Sequence, residues 1–208
     1  ATLCVAMLLH VVVEAMLATP NPPFAGPISP EDGIRLRMLR LARAAVLTLP
    51  VLTLLHHGLA VKADPHSPAV RWGRIGMVGG TILMAATLTA AGVTRPELRF
   101  LLPIPALATF VGTATGVWLA RRHARPLELW GWFLIVGSMA GGLLVGLFAF
   151  GGPLPPPEFL GEYNTVARRV IRLAHIYSVI FGIVTIFISR ELDRRNFPVR
   201  PLSGGSPS

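Results

Sequence analysis

The chain has 208 residues, of which 52% are hydrophobic and only 14% are charged, and its formal net charge is +9. Soluble domains carry about a quarter of charged residues, so this balance excludes an ordinary soluble enzyme, a disordered protein and a nucleic-acid binder with a water-facing basic surface. It indicates a multi-pass membrane protein. The basic residues of such a protein meet anionic lipid headgroups, and the positive charge requires no nucleic acid. A single cysteine, Cys4, excludes a disulfide framework.

Six apolar stretches are long enough for a membrane helix, which needs ~20 residues to cross the hydrocarbon core. In chain order they cover residues 1–18, 41–61, 73–93, 100–120, 129–150 and 170–189. For the first stretch a signal peptide is the alternative. None of the six alternates as a barrel strand does. We therefore predict an all-α polytopic membrane bundle of about six helices, which forms a single domain over residues 1–197 and precedes a disordered tail at 198–208.

Proline-rich connections at 19–40 and 151–168 separate these stretches and are predicted to lie on the same side of the membrane. All four tryptophans, Trp72, Trp118, Trp130 and Trp132, fall at span ends on the opposite side, where they predict an aromatic belt. Basic residues divide almost evenly between the two sides. We place the chain in a bacterial cytoplasmic membrane with both termini in the cytoplasm.

Two short patterns recur at span starts. Arg-x-x-Arg-Leu-Ala opens both the second and the sixth stretch, at residues 37–42 and 169–174, and Trp-Gly opens the third and the fifth, at 72–73 and 130–131. A duplicated helix hairpin would explain both patterns, and chance in a chain rich in small residues is the alternative. If the hairpin is duplicated, Arg43 and His175 occupy equivalent positions.

Small residues four apart mark three of the stretches, at Gly76/Gly80, Gly112/Gly116 and Gly137/Gly141. Such pairs let membrane helices approach closely. They predict tight packing within the bundle, against partner subunits, or both.

Few ionisable side chains lie inside the apolar stretches, where each is costly and usually paired or functional. With a rise of ~1.5 Å per residue, Glu14, Arg43 and His175 lie at similar depths from the side of the first loop, with His10 about one turn deeper. One interpretation is a buried Glu14–Arg43 ion pair. The other is a cofactor site, in which His10 and His175 are the axial ligands of a b-type haem. His56 and its neighbour His57 are predicted to form a wetted pair near the opposite interface, with haem or chlorophyll ligation as the alternative.

The segment from Arg172 to Gly182 contains His175 followed by Gly182, with six residues between them. It resembles the His-x6-Gly helix starts of haem-copper-oxidase-like and related haem-binding membrane proteins. The resemblance covers one helix of the six and implies that His175 is a haem ligand. A second histidine two residues later is missing, because that position is Tyr177.

Phosphate-binding loops, dinucleotide fingerprints, HExxH and CxxC motifs are all absent from the sequence. The sequence therefore favours a non-enzymatic, accessory or cofactor-holding subunit of a larger bacterial energy-converting complex, in respiratory electron transport or photosynthesis, with other membrane subunits and anionic lipids as partners. The cofactor would be a b-type haem or a (bacterio)chlorophyll. The alternative is a self-contained membrane protein, either a small haem enzyme or a transporter.

Overall fold

The computed structural model describes residues 30–146, 148, 157–158 and 165–195, and every regular element in these ranges is helical. The elements are α1 (Pro30–Ala60), α2 (Pro68–Val93), a 3-10 helix (Pro96–Leu101), α3 (Pro103–His123), α4 (Pro126–Gly146) and α5 (Val166–Arg194). The five helical segments in this part of the chain, the 3-10 helix counted with α3, are long and apolar enough to cross a membrane. The predicted helical bundle is thus confirmed. The first predicted span, 1–18, and the predicted tail, 198–208, lie outside the described residues.

Proline marks the start of almost every helix. α1, α2, the 3-10 helix, α3 and α4 all begin with it. Proline suits this position because its ring sets a helical φ and because the first helical residue needs no amide hydrogen for the helix ladder. The prolines between the apolar stretches therefore start helices as well as ending them.

Two helices extend beyond the apolar stretches that predict them. The sequence predicts a loop over 19–40, but α1 already begins at Pro30. Met38 and Leu39 are buried there, and the Leu39 side chain packs against Gly92 near the end of α2. α5 likewise begins at Val166 and continues to Arg194. The parts of α1 and α5 that extend beyond the apolar stretches carry several charges, but one side of each packs against a neighbouring helix. Because this packing stabilises them, the helices continue where the average hydropathy is low.

Helices that follow one another in the chain pack in antiparallel pairs. On α4 and α5, for example, Gly131 meets Ile186, whereas Ser138 meets His175 further along. α1, α2 and α3 pack against one another, α4 packs on α3, and α5 packs on α4. We call the end of the bundle where α1, α3 and α5 finish and α2 and α4 begin the tryptophan end.

Glycines allow α2 and α3 to approach closely. A Cβ added at Gly76 would lie 2.6 Å from the Ala108 carbonyl oxygen, and one at Gly112 would lie 2.7 Å from the Met77 backbone nitrogen. No side chain fits at such distances. Two of the three predicted small-residue motifs therefore lie at helix contacts, as expected for membrane helices.

The third motif is used differently. A Cβ added at Gly137 or Gly141 would meet nothing within 4 Å among the described residues. α4 instead contacts α5 through Gly131 and Gly142. The face that carries Gly137 and Gly141 makes no close contact in the described part of the bundle.

Three of the four tryptophans predicted to form an aromatic belt are exposed at the same end of the bundle. Trp72, Trp118 and Trp130 are exposed at the tryptophan end, but Trp132 is fully buried. Its ring lies against Gly116 of α3, which has no side chain to displace it. Trp132 is therefore a core residue, contrary to the prediction.

The antiparallel order gives a labelling prediction. In a background without Cys4, single cysteines at His66 and His123 should react with a membrane-impermeant thiol reagent from one side of the membrane, and a cysteine at Thr94 should react from the other. The first two positions follow α1 and end α3, whereas Thr94 follows α2, and all three are exposed. Equal reactivity of all three from one side would contradict the transmembrane arrangement.

Candidate functional site

His175 lies half-buried on α5 and faces Ser138 of α4. Its Nδ1 atom is 2.7 Å from the Ser138 carbonyl oxygen and 2.8 Å from Ser138 Oγ. The Ser138 hydroxyl donates to the carbonyl oxygen of His175 itself at 2.7 Å. Two reciprocal contacts therefore hold the ring to the neighbouring helix.

This arrangement determines the tautomer of His175. A carbonyl oxygen only accepts hydrogen bonds, so Nδ1 must carry the proton that it shares with Ser138. In the neutral ring Nε2 is then unprotonated, and its lone pair is available to a metal. Metal-bound histidines commonly have the other nitrogen oriented in this way. Ser138 of α4 is thus the group that orients the His175 ring. Glu14, which the sequence predicts at a similar depth, lies outside the described residues.

Gly142 provides the space for the imidazole. A Cβ at this position would lie 2.7 Å from Cε1 and 3.3 Å from Nε2 of His175. Any side chain there would push the ring away from Ser138. Gly142 is not among the predicted site residues. Its spacing of four from Ser138 on α4 is the sequence signal that the two residues share a helix face.

His56 has a different environment from the predicted wetted pair, because it is buried while His57 is exposed. Its Nε2 atom is 3.0 Å from Thr115 Oγ1, and its ring meets Trp132 edge-on with centroids 6.2 Å apart. The Thr115 hydroxyl donates its own proton to the Gly112 carbonyl, so Nε2 of His56 must be the donor in this bond. A ligand role for Nε2 would require the loss of that proton, and cofactor binding by His56 stays a prediction.

The remaining predicted site residues fall mostly outside the described ranges. Neither His10 nor Glu14 is described, and Arg43 lies on an exposed face of α1. The predicted Glu14–Arg43 pair and the predicted His10 ligand therefore stay predictions.

A buried ion pair lies at the tryptophan end, and the sequence does not predict it. Arg190 near the end of α5 donates from Nε and Nη2 to Glu128 Oε1, at 3.0 and 2.7 Å. Its Nη2 also donates to the Leu55 carbonyl oxygen of α1 at 2.7 Å. The Glu128 side chain is 0% exposed and that of Arg190 is 27% exposed. This one guanidinium joins α5 to both α4 and α1.

Neither Glu128 nor Arg190 is among the site residues that the sequence predicts. The predicted spans begin at 129 and end at 189, so each partner falls one residue outside the span that predicts it. The available signal is the position of Glu128 three and four residues before Gly131 and Trp132. Residues so spaced share a helix face, and both of these are buried.

Among the described residues, no group of three or more His, Cys, Asp or Glu side chains could hold a metal ion. A haem needs only one or two axial side chains, so it requires no such group. The chain matches no protein-family model, and no curated protein or solved structure matches it. Its function must therefore be inferred from its own residues.

Proposed function

We propose that the protein is an integral membrane subunit of a larger bacterial energy-converting complex, respiratory or photosynthetic, and that it holds a b-type haem or a (bacterio)chlorophyll through His175. In this proposal it spans the cytoplasmic membrane six times, with both termini in the cytoplasm, and residues 1–18 form the first span. The possible hairpin repeat relates α1 to α5. Its partners are other membrane subunits and anionic lipids.

The observation that carries the cofactor proposal is the orientation of His175. An imidazole inside a membrane helix has a cost unless it is paired or functional. Here Nδ1 is satisfied by Ser138, and Gly142 leaves space for the ring, while Nε2 has no hydrogen-bond partner in the described part of the chain. This is the arrangement that an axial ligand needs. A bound haem would supply one-electron chemistry, for which these residues provide only binding and orientation.

Two exposed faces support membership of a complex. Gly137 and Gly141 form a small-residue surface on α4 that meets no described side chain, and such surfaces suit close contact with another membrane helix. α5 has the smallest buried share of the five spans. In a membrane, an exposed apolar face is covered either by lipid or by a further helix. In this proposal a partner subunit packs against both the Gly137/Gly141 surface of α4 and the exposed face of α5.

The cofactor proposal is tested by visible spectroscopy of protein purified from native membranes, with glycine variants as matched controls. Gly142→Ala should displace the His175 ring and remove most of the cofactor absorption per mole of protein, as His175→Leu should. Gly146→Ala, on the same helix, should leave the absorption unchanged, because a Cβ there meets no described atom within 4 Å. A split band on reduction identifies a haem, and a far-red band identifies a chlorophyll.

Two results would contradict the proposal. A wild-type protein without an absorption band, or a band that survives in His175→Leu, rejects the cofactor role of His175. Purification alone or as a homo-oligomer, rather than in fixed ratio with larger subunits, rejects the subunit role and favours the self-contained haem protein or the transporter.

A further inference from the structure

Two neighbouring arginines at the end of α3 lie over aromatic rings at the tryptophan end of the bundle. The guanidinium carbon of Arg122 is 4.1 Å from the ring centroid of Trp118, which lies one turn earlier on α3. The guanidinium carbon of Arg121 is 5.4 Å from the ring centroid of Phe133 on α4. Both distances are within the range of attractive cation–π contacts. The two rings therefore restrict where the charged groups of these long side chains lie.

These two arginines carry positive charge that no described carboxylate offsets. Both are exposed, and neither forms an ion pair within the part of the chain that the structure describes. By contrast, Arg190 at the same end pairs with Glu128, and Arg194 pairs with Glu191. The end of α3 therefore presents a double positive charge to its surroundings.

The hydrogen-bonding capacity of both guanidiniums is also unused by the described residues. A cation–π contact holds a guanidinium through its charge and needs no hydrogen-bond acceptor. The N–H donors of Arg121 and Arg122 thus remain for another group. Arginine donors are arranged as a planar fork that matches two oxygens of a phosphate. A phosphate is therefore the group that this pair fits best.

Exposed apolar side chains continue from these arginines toward the middle of the bundle. Ile104, Val111 and Trp118 follow one another at intervals of seven on α3, so they share one face, and all three are exposed. On α4, Phe133 and Trp130 are also exposed, with ring centroids 6.0 Å apart. A cationic pair at a helix end above an apolar face matches a phospholipid, whose phosphate lies at the membrane interface and whose acyl chains lie in the hydrocarbon core.

We infer that Arg121 and Arg122, with Trp118 and Phe133 beneath them, form a binding site for an anionic phospholipid. The headgroup phosphate accepts hydrogen bonds from the two guanidiniums, and the acyl chains lie along the exposed face of α3. A zwitterionic lipid binds less well, because the arginines repel its ammonium group. The inference deepens the anionic-lipid partner of the proposed function and rests on its membrane location, but it requires no cofactor.

The inference is tested by titrating the full protein in non-ionic detergent with dioleoyl phosphatidylglycerol and counting bound lipid by native mass spectrometry. The wild type should bind this lipid more tightly than dioleoyl phosphatidylcholine. Arg122→Gln should weaken phosphatidylglycerol binding about tenfold, the effect of losing a hydrogen bond between charged groups. The matched control is Arg194→Gln, which removes the same charge from an exposed arginine already paired with Glu191 and should retain wild-type affinity. Equal affinity of the wild type for both lipids, or an equal loss in both variants, overturns the inference.

A tryptophan variant separates a site of defined geometry from a diffuse positive surface. Trp118→Leu keeps both arginines but removes the ring under Arg122, so it should weaken phosphatidylglycerol binding about threefold, as expected for the loss of an exposed cation–π contact. The matched control is Trp72→Leu. Trp72 is exposed at the same end and has no arginine over its ring among the described residues, so this variant should bind as the wild type does. Unchanged affinity in a folded Trp118→Leu protein contradicts the site.

Two comparisons identify the occupant and separate this site from the cofactor proposal. Inorganic phosphate has the charge but no acyl chains, so an excess of it should leave phosphatidylglycerol bound, and displacement rejects a lipid as the occupant. A wild-type protein that prefers the anionic lipid but shows no cofactor absorption rejects the cofactor proposal alone. A wild-type protein that shows the absorption but no lipid preference rejects this site alone.

Discussion

Arg190→Leu should lower the free energy of unfolding by about 3–5 kcal/mol, the usual effect of removing one partner from a buried ion pair. Leucine keeps most of the apolar volume but leaves the fully buried Glu128 without its cation. It also removes the donor to the Leu55 carbonyl oxygen, which links α5 to α1. The measurement is chemical unfolding in mixed micelles, followed by circular dichroism.

Two further variants separate the buried pair from a general effect of charge. Arg194→Leu removes an arginine from the same helix, but this side chain is 76% exposed and pairs with Glu191 one turn away. Its effect should be small by comparison, because water screens an exposed ion pair. The double variant Arg190→Leu/Glu128→Leu should regain much of the stability lost in Arg190→Leu, because no unpaired charge remains. A double variant as unstable as the single one would show that the cost lies in packing and not in the isolated carboxylate.

Gly76→Ala should destabilise the protein by about 1–3 kcal/mol, as overpacking of a well-packed contact does. The new methyl group would lie 2.6 Å from the Ala108 carbonyl oxygen and 2.9 Å from the Gly112 nitrogen. Both are backbone atoms, so no side-chain rotation relieves the contact and α2 must move away from α3. The change is measured by the same unfolding assay.

Gly79→Ala is the matched control for this glycine. It lies three residues further along α2 and would place its Cβ in a position with nothing within 4 Å. Both variants gain the same intrinsic helix propensity from alanine, so their difference reports the helix contact alone. We expect Gly79→Ala to be neutral or slightly stabilising. Equal stability of the two variants would contradict the close approach of α2 and α3.

The sequence does not predict which polar side chains meet between helices. His175 can be selected from the sequence because a histidine inside a long apolar stretch is unusual. Its partner cannot, because Ser138 lies on another helix, and nothing local to either residue records how the two helices rotate against each other. The same holds for Glu128 and Arg190. Each lies at the edge of its helix and looks like an ordinary interfacial charge until the tertiary structure brings the edges of α4 and α5 together.

The sequence by itself determined that the chain forms apolar helices of membrane-spanning length in antiparallel succession, with Trp72, Trp118 and Trp130 at one end. These properties depend on local composition and on short connections, which the order of residues specifies directly. Only the tertiary structure decided that Gly76 and Gly112 lie at a helix contact, that Gly137 meets none of the described helices, and that Trp132 is buried. The physical reason is that lipid is as apolar as the bundle interior, so a membrane helix need not show an apolar face toward the core. Which face turns inward is therefore decided by shape and by a few polar contacts between residues distant in the chain.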